Sequence, residues 1–258
     1  MPSSQTAGQP VSFGTFLRVL MRRGYLSTKT RWKRLIGHIL WIRSWNLLPA
    51  KHPLIWIGDL GCYLVDIFYL PEILDVFLFF AVSRLRYMDR EEMELARSFF
   101  SRSVDLSLIF VNDHAKIFTK NFAHAYVSFQ MIHFDKEIEP SIFVHEMVHV
   151  WQFQCFGTVY LFRAMLAQMS REGYDYGGFP AVREGSEVQI SFLKYNFEQQ
   201  AEIIEDYYKI QSHPLYKLDR DLVFSYRYFF KQLEQISRKM GVIHFYSDHL
   251  NKNRRDAV

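Results

Sequence analysis

The stretch EPSIFVHEMVHVWQFQ (139–154) constrains the fold more than any other part of the sequence. Apolar side chains surround a helix of this sequence on nearly every side, so we expect the helix to be buried. Either Ser141 caps its start or Pro140 takes its first position. A buried helix must provide partners for the few polar side chains that it carries, because an unpaired imidazole or carboxylate in the core is costly.

Those polar side chains have the spacing of a metal site. His145 and His149 are four residues apart, which places both imidazoles on one face of a helix, close enough to share an ion. Zinc binds neutral imidazole nitrogen at about 2.0–2.1 Å. Glu146 projects beside that face, where a general base that activates a water on zinc is needed. The alternative is a hydrogen-bonded pair of core histidines, and the apolar surroundings argue against it.

A second segment, YNFEQQAEIIEDYY (195–208), offers the third protein ligand of a zinc site that keeps one open position. Asn196 is expected to cap a helix here. Glu198, Glu202 and Asp206 then follow one another at steps of four residues along one face. Apolar residues on the flanks favour a half-buried helix over an ordinary solvated acidic face, so the segment predicts a carboxylate ligand.

Two registers of this acidic face are open. In the first, Glu198 is the ligand and Glu202 supports a histidine through its other ring nitrogen. The small residue Ala201 favours this register, because it lets two helices approach closely. In the second register Glu202 is the ligand and Asp206 gives the support. We adopt the first.

The pair HEMVHVWQ and YNFEQQAEIIEDYY resembles the thermolysin-type (gluzincin) zinc metallopeptidases. More narrowly, it is similar to the HExxH peptidase domains attached to type VI secretion spike proteins and Rhs-type toxins, over about residues 89–210. The resemblance implies one zinc ion per chain, held by His145, His149 and Glu198, with Glu146 as the base. It also implies a mostly helical α+β, zincin-like fold with a small β-sheet before the HExxH helix.

A peptidase needs a hydrogen-bond donor for the oxyanion that forms during hydrolysis. Tyr174, Tyr176 and His213 are candidates by residue type only. Both tyrosines lie in REGYDYGGFPAVREGSE (171–187), a stretch that reads as a functional loop.

The rest of the body is expected to contain both helices and strands. Residues 89–103 predict an amphipathic helix with acidic residues in its first turn. DLSLIFVND (105–113) and AYVSFQMIHF (125–134) predict two strands, the second one longer. We therefore expect a metallopeptidase domain over residues 89–258 and a basic, apolar helical region over residues 1–88.

The N-terminal region has an unusual charge distribution. Residues 1–58 contain nine Lys or Arg and no Asp or Glu. A helix over residues 30–48 places Trp32 on an apolar stripe, with Arg34 and Arg43 on a solvated basic face. The alternative is a surface that docks on anionic lipid.

Residues 54–82 are strongly apolar but contain several acidic residues and a proline. No uncharged run reaches the ~18 residues that a spanning helix needs, so buried helices are expected here, including one over residues 70–85. Cys62 and Cys155 are the two cysteines of the chain, which excludes a disulfide framework and a thiolate zinc cluster. The start of the sequence shows no secretory signal.

Two functions fit the sequence. The first is a zinc endopeptidase, a toxin-like effector that is made in the cytoplasm and exported by a contact-dependent secretion system. The second is a catalytically retired zinc module that docks on a membrane or protein through its basic N-terminus. Hydrolysis of a non-peptide amide also fits the motif. Candidate partners are a protein or peptide substrate, a secretion-apparatus or immunity protein, and anionic membrane, with no specific nucleic acid.

Overall fold

The structure is a computed structural model, and it describes residues 7–42, 45, 47–48, 52–82, 84–115 and 125–242. Its helices are α1 (Phe13–Ile39), α2 (Pro53–Ile67), α3 (Leu70–Ala81), α4 (Arg90–Phe100), α5 (Pro140–Phe156), α6 (Val159–Gln168), α7 (Gly178–Glu187), α8 (Phe197–Ser212) and α9 (Arg220–Met240). Its strands are β1 (Phe110–Asn112), β2 (Ala125–Ser128) and β3 (Met131–Phe134). A mostly helical α+β fold with a small sheet before α5 is thereby confirmed.

The sheet has the strand order β1-β3-β2. The central strand β3 pairs parallel with β1 and antiparallel with β2. The prediction of one long strand over residues 125–134 is wrong, because the chain reverses at Phe129, whose φ is 55°. The prediction of a strand over residues 105–113 holds only for β1. Before it, the Asp105 side chain accepts a hydrogen bond from the Ser107 backbone N–H and starts a 3₁₀ turn.

Helix α5 is the buried centre of the molecule. It packs against α4, α6, α8, α9 and the strands β2 and β3. Pro140 occupies its first position and Glu139 precedes it, so the second of the two expected starts is the observed one. Trp151 is completely buried, and its indole N–H donates to Ser237 on α9. The apolar residues that predict burial therefore pack against other elements on all sides of α5.

The helix start predicted at Asn196 is confirmed. Asn196 and Gln199 form a reciprocal capping box at the start of α8. Asp89 and Glu92 form a second one at the start of α4. The predicted functional loop over residues 171–187 is only partly a loop, because α7 begins after Gly177, whose φ is 85°.

The predictions for the N-terminal helices are wrong in part. The helix expected over residues 30–48 is the end of α1 and stops at Ile39, and its Leu35 is buried and Lys33 exposed as expected. Arg34 is buried instead of solvated, while Trp32 is 49% exposed. Helix α3 was expected to be buried, but within it only Pro71 and Asp75 are. Arg23 and Arg31 of α1 face inward because they pair with carboxylates of α3, and Arg34 donates to the Gln154 carbonyl of α5. This orientation turns apolar side chains outward. The predicted position of Arg43 lies outside the described residues.

The N-terminal helices share a core with the body. Leu35 of α1 and Tyr63 of α2 belong to the same buried apolar cluster as Val148 and Trp151 of α5. Across the described residues, no helix is both long enough and apolar enough to cross a membrane. The two cysteines are free thiols.

Candidate metal centre

Two histidines of α5 and one glutamate of α8 converge in the structure. Glu198 Oε2 lies 3.6 Å from His145 Nε2 and 3.5 Å from His149 Nε2. One ligand atom from each of the three residues can be chosen so that all lie within 4.8 Å of one another. All three side chains are buried, with Glu198 only 1% exposed. The structure thus brings together the two histidines predicted from their helical spacing and the glutamate predicted by the first register of α8.

The geometry of this cluster fits a tetrahedral zinc ion. Ligands at about 2.0–2.1 Å around such an ion lie roughly 3.3–3.4 Å from one another. The two distances from Glu198 Oε2 to the imidazole nitrogens are close to that value. Glu198 Oε2 also has no hydrogen-bond partner among the described residues, although it is buried. A cation between the three side chains would satisfy that orphaned atom.

Neighbouring side chains hold each ligand in the orientation that a metal requires. The His145 Nδ1 atom lies 3.0 Å from Glu205 Oε2, and the His149 Nδ1 atom lies 2.8 Å from Gln152 Oε1. Because both acceptors face Nδ1, each imidazole carries its proton there and keeps the Nε2 lone pair for an ion. Gln168 donates to Glu198 Oε1 at 3.0 Å and leaves Oε2 facing the histidines.

The two other acidic residues of the predicted face have different surroundings. Glu202 Oε2 lies 3.9 Å from His145 Nδ1, so the short contact expected for Glu202 is made by Glu205. Asp206 accepts hydrogen bonds from Tyr176 and Lys209. A second group of potential ligands, His145 with Glu202 and Glu205, is also present. It fits an ion less well, because Glu205 is already paired with His145 and Lys209.

The electrostatics of the cluster favour positive charge between the three side chains, from protonated imidazole or from a bound cation. Burial by itself lowers the pKa of His145, but the nearby carboxylates of Glu198 and Glu205 outweigh it and raise that pKa to about 10. Burial raises the pKa of Glu198, and the two histidines more than reverse this, so that pKa lies well below its ordinary value. The buried carboxylate therefore stays charged and needs positive charge beside it.

Glu146 has the environment of a general base. It is buried beside the two histidines, and its Oε2 atom has no hydrogen-bond partner in the part of the chain that the structure describes. Burial raises the pKa of Glu146, and the charges of Glu198 and Glu205 add to this. A carboxylate with a raised pKa and a free oxygen can accept a proton more readily than a solvated one.

The three oxyanion candidates are separated by the structure. The Tyr174 hydroxyl interacts with Glu198 and Gln168, and its ring centroid lies 6.1 Å from that of His145. Tyr176 instead donates to Asp206 and pairs with Tyr226. His213 ends α8, roughly 22 Å along the helix from Glu198 at 1.5 Å per residue. Only Tyr174 lies at the cluster.

Sequence reasoning missed Glu205, Gln152 and Gln168. Glu205 follows Glu198 by seven residues, two helical turns, so it belongs to the same face, and a search at this spacing would have found it. Gln152 follows His149 by three residues and was visible in the same way. Gln168 comes from α6, and no local pattern connects it with α8.

The chain was compared with protein-family models, with curated proteins and with solved structures, and none of them matches it.

Proposed function

We propose that the protein is a zinc-dependent peptidase whose ligands are His145, His149 and Glu198. The observation that carries the proposal is the buried, unpartnered Glu198 Oε2 at nearly equal distances from two imidazole nitrogens. A small sheet before α5 and a carboxylate supplied by α8 also agree with what the resemblance implies.

Each residue of the cluster has a distinct role in hydrolysis. Zinc, when bound, polarises a carbonyl and lowers the pKa of a coordinated water to about 7. Glu146 accepts a proton from the attacking water and then gives it to the leaving amine. Glu205 and Gln152 hold the imidazoles, and neither has to move during the reaction.

Tyr174 is the residue best placed to stabilise the oxyanion. Burial raises its pKa to about 12, so the hydroxyl keeps its proton at neutral pH and can donate it in a hydrogen bond. Its side chain is 46% exposed, which leaves room for a substrate beside it. We expect Tyr174→Phe to lower kcat by about 10²–10³-fold, with zinc content unchanged. Tyr226→Phe, which removes a neighbouring hydroxyl away from the cluster, is the control.

The test of the peptidase proposal is the variant Glu146→Gln. Wild-type protein and variant, both loaded with zinc, are incubated with a proteome-derived peptide library, and cleavage is followed by mass spectrometry. The proposal predicts cleavage by the wild type and none by the variant, although both carry one zinc per chain. A zinc-loaded wild type that cleaves no peptide, or a variant that cleaves equally well, would contradict it. The first outcome would favour the retired zinc module.

The wider role as a toxin-like effector rests on the resemblance to the peptidase domains of secretion spike and Rhs-type toxin proteins. HEMVHVWQ and YNFEQQAEIIEDYY carry that resemblance. Expression of the wild type and of Glu146→Gln inside a bacterial host tests it. We expect growth arrest with the wild type alone, and equal growth of both strains would remove the effector role.

A further inference from the structure

Helices α2 and α3 have their polarity reversed relative to an ordinary surface helix. In both of these fully described helices, every exposed side chain is uncharged. Large apolar side chains dominate the outer surface: Leu54, Ile57, Leu64, Ile73, Phe77 and Phe80. Phe77 and Phe80 are 68% and 70% exposed. A contiguous apolar surface of this kind marks a contact with something other than water.

The charged residues of the same two helices point into the molecule. Asp59 is completely buried and pairs with Arg163 of α6. Asp75 is 1% exposed and pairs with Arg23 of α1. Glu72 accepts hydrogen bonds from Arg23 and Arg31. These buried ion pairs fix which face of α2 and α3 points into the molecule. The apolar outer surface therefore follows from that orientation and does not come from loose packing.

Helix α1 joins this apolar surface at Phe13, whose ring centroid lies 5.0 Å from that of the exposed Phe80, and α1 also carries a basic edge. Three exposed residues lie on one side of α1: Met21, Tyr25 and Trp32. If Phe13 is placed at 0° and each residue advances by 100° around the helix axis, these three lie at about 80–120°. Lys29 and Lys33 are exposed as well and follow at about 160–200° on the same scale. The basic edge therefore borders the apolar stripe directly. The sequence contains no acidic residue up to Asp59 to offset it.

We propose that α1, α2 and α3 dock the protein on the surface of a bilayer that contains anionic lipid. An apolar face with a neighbouring basic edge is the pattern of an interfacial helix, which enters the boundary between headgroups and acyl chains. Exposed Trp and Tyr at the margin fit the same boundary. The helices lie in the plane of the interface, consistent with the finding that no described helix can cross a membrane.

The basic edge decides between a bilayer and a second copy of the chain. Two copies that met through this face would bring two basic edges to one interface, and no exposed acid on α1, α2 or α3 would compensate them. An anionic bilayer offers both acyl chains for the apolar face and negative charge for its edge. This inference concerns a surface away from the metal centre and does not depend on zinc.

The test is co-sedimentation of the full chain with large vesicles. Vesicles of phosphatidylcholine alone are compared with vesicles that contain phosphatidylglycerol at a ratio of 7:3, in about 0.1 M salt. We expect the wild type to bind the anionic vesicles more tightly, and high salt to weaken that binding. Each lysine near the surface contributes about fivefold to the partition coefficient, so Lys29→Gln with Lys33→Gln is expected to lower it by about 25-fold.

A pair of apolar variants tests the face itself. Phe68→Asp with Phe77→Asp places two charges on the proposed surface, at positions that are 67% and 68% exposed. Leu218→Asp with Phe224→Asp is the matched control, at positions of similar exposure near the start of α9. We expect the first pair to lose vesicle binding by at least tenfold and the control to bind like the wild type.

Three results would overturn the proposal. The wild type could fail to bind anionic vesicles, or the Phe68/Phe77 variant could bind like the control. The third is a dimer of the wild type, seen by light scattering, that the Phe68/Phe77 variant alone disrupts, since the face would then be covered by a second copy. Circular dichroism and thermal unfolding of each variant establish that it is folded before binding is measured.

Discussion

Glu205 determines how His145 presents its ring to the candidate metal. Its Oε2 atom lies 3.0 Å from His145 Nδ1, and its own pKa is lowered to about 2, because hydrogen bonds with His145 and Lys209 outweigh the effect of burial. A carboxylate held in this way fixes the tautomer and raises the basicity of the opposite nitrogen. Glu202 is partly exposed, and its Oε2 atom lies 3.9 Å from His145 Nδ1, so it restrains the orientation of the ring less.

The two glutamates therefore give a ranked prediction. We expect Glu205→Ala to weaken zinc affinity by about 10–100-fold, because the ring of His145 loses its fixed orientation. Glu202→Ala is the matched control on the same helix and is expected to have a smaller effect. Competition with a zinc chelator measures both. A larger loss for Glu202→Ala would move the supporting role back to the residue favoured by the sequence.

The candidate ligands could be predicted from the sequence because they lie in short helical patterns. His145, His149 and Glu198 each have a fixed spacing to a neighbour or a cap, and a helix converts spacing into direction. Gln168 and Tyr174 could not be placed, because their positions depend on the path of the chain between α5 and α8.

At the scale of elements, the end of α5 is fixed by a glycine. Gly157 has φ 71° and ψ −154°, a region that glycine adopts and other residues avoid. A Cβ atom there would lie 2.0 Å from Asp66 Oδ2. That carboxylate accepts hydrogen bonds from the N–H and hydroxyl of Thr158 and so connects α2 to the start of α6.

We expect Gly157→Ala to lower the free energy of unfolding by at least about 2 kcal/mol, since it adds backbone strain and a steric clash. Gly61→Ala is the matched control, because a Cβ atom there meets nothing within 4 Å. That change lies inside α2 and is expected to stabilise by about 0.5–1 kcal/mol. Urea unfolding measures both, and equal stabilities would contradict this account of the α5 end.

The central strand of the sheet contains a histidine that stays neutral. Asn112 Nδ2 donates to His133 Nδ1 at 3.1 Å, which leaves the proton on Nε2, where Ser128 Oγ accepts it at 2.6 Å. The His133 ring also stacks on Tyr126 with centroids 4.6 Å apart. Burial lowers the pKa of His133 to about 4.

His133 gives the stability of the protein a pH dependence. The unfolded chain takes up a proton near pH 6.5 and the folded chain only near pH 4, so the stabilisation is present above pH 6.5 and is lost as the pH falls toward 4. The loss reaches about 3 kcal/mol at the lower end of this range. The difference in unfolding free energy between wild type and His133→Gln, measured from pH 7 to pH 4.5, should shrink by most of that amount. A constant difference would show that His133 does not titrate in this range.

Helix positions were easier to predict than their orientation. The cap of α8 was visible because it is local, whereas the inward face of α1 depends on Glu72 and Asp75 of α3, which are distant in sequence. A hydrophobic stripe is normally assigned to the core. In α1 the buried arginines reverse that assignment. The prediction of a single strand over residues 125–134 failed because the chain turns at Phe129, a residue type that is not typical of turns.

At the scale of the whole molecule, buried ion pairs attach the N-terminal helices to the body. Asp59 of α2 has no exposed surface and makes two hydrogen bonds to Arg163 of α6. Removal of Arg163 leaves the completely buried Asp59 carboxylate without this ion pair, which costs about 3–5 kcal/mol. The exposed pair Arg90–Glu94 on α4 contributes little by comparison.

We therefore expect Arg163→Ala to lower the free energy of unfolding by about 3–5 kcal/mol and Glu94→Ala to lower it by less than about 1 kcal/mol. Chemical denaturation of the two variants gives the comparison. Similar values for both would mean that the charges of α2 do not hold it on the body.

The most direct test of the central claim is the zinc content of the purified chain, measured by elemental mass spectrometry after preparation without chelator. The account predicts about one zinc per chain in the wild type and in Glu146→Gln. It predicts none in His149→Ala or Glu198→Ala, since each removes a ligand. A wild type without zinc would contradict the metal centre, and zinc retained in full by Glu198→Ala would contradict its third ligand.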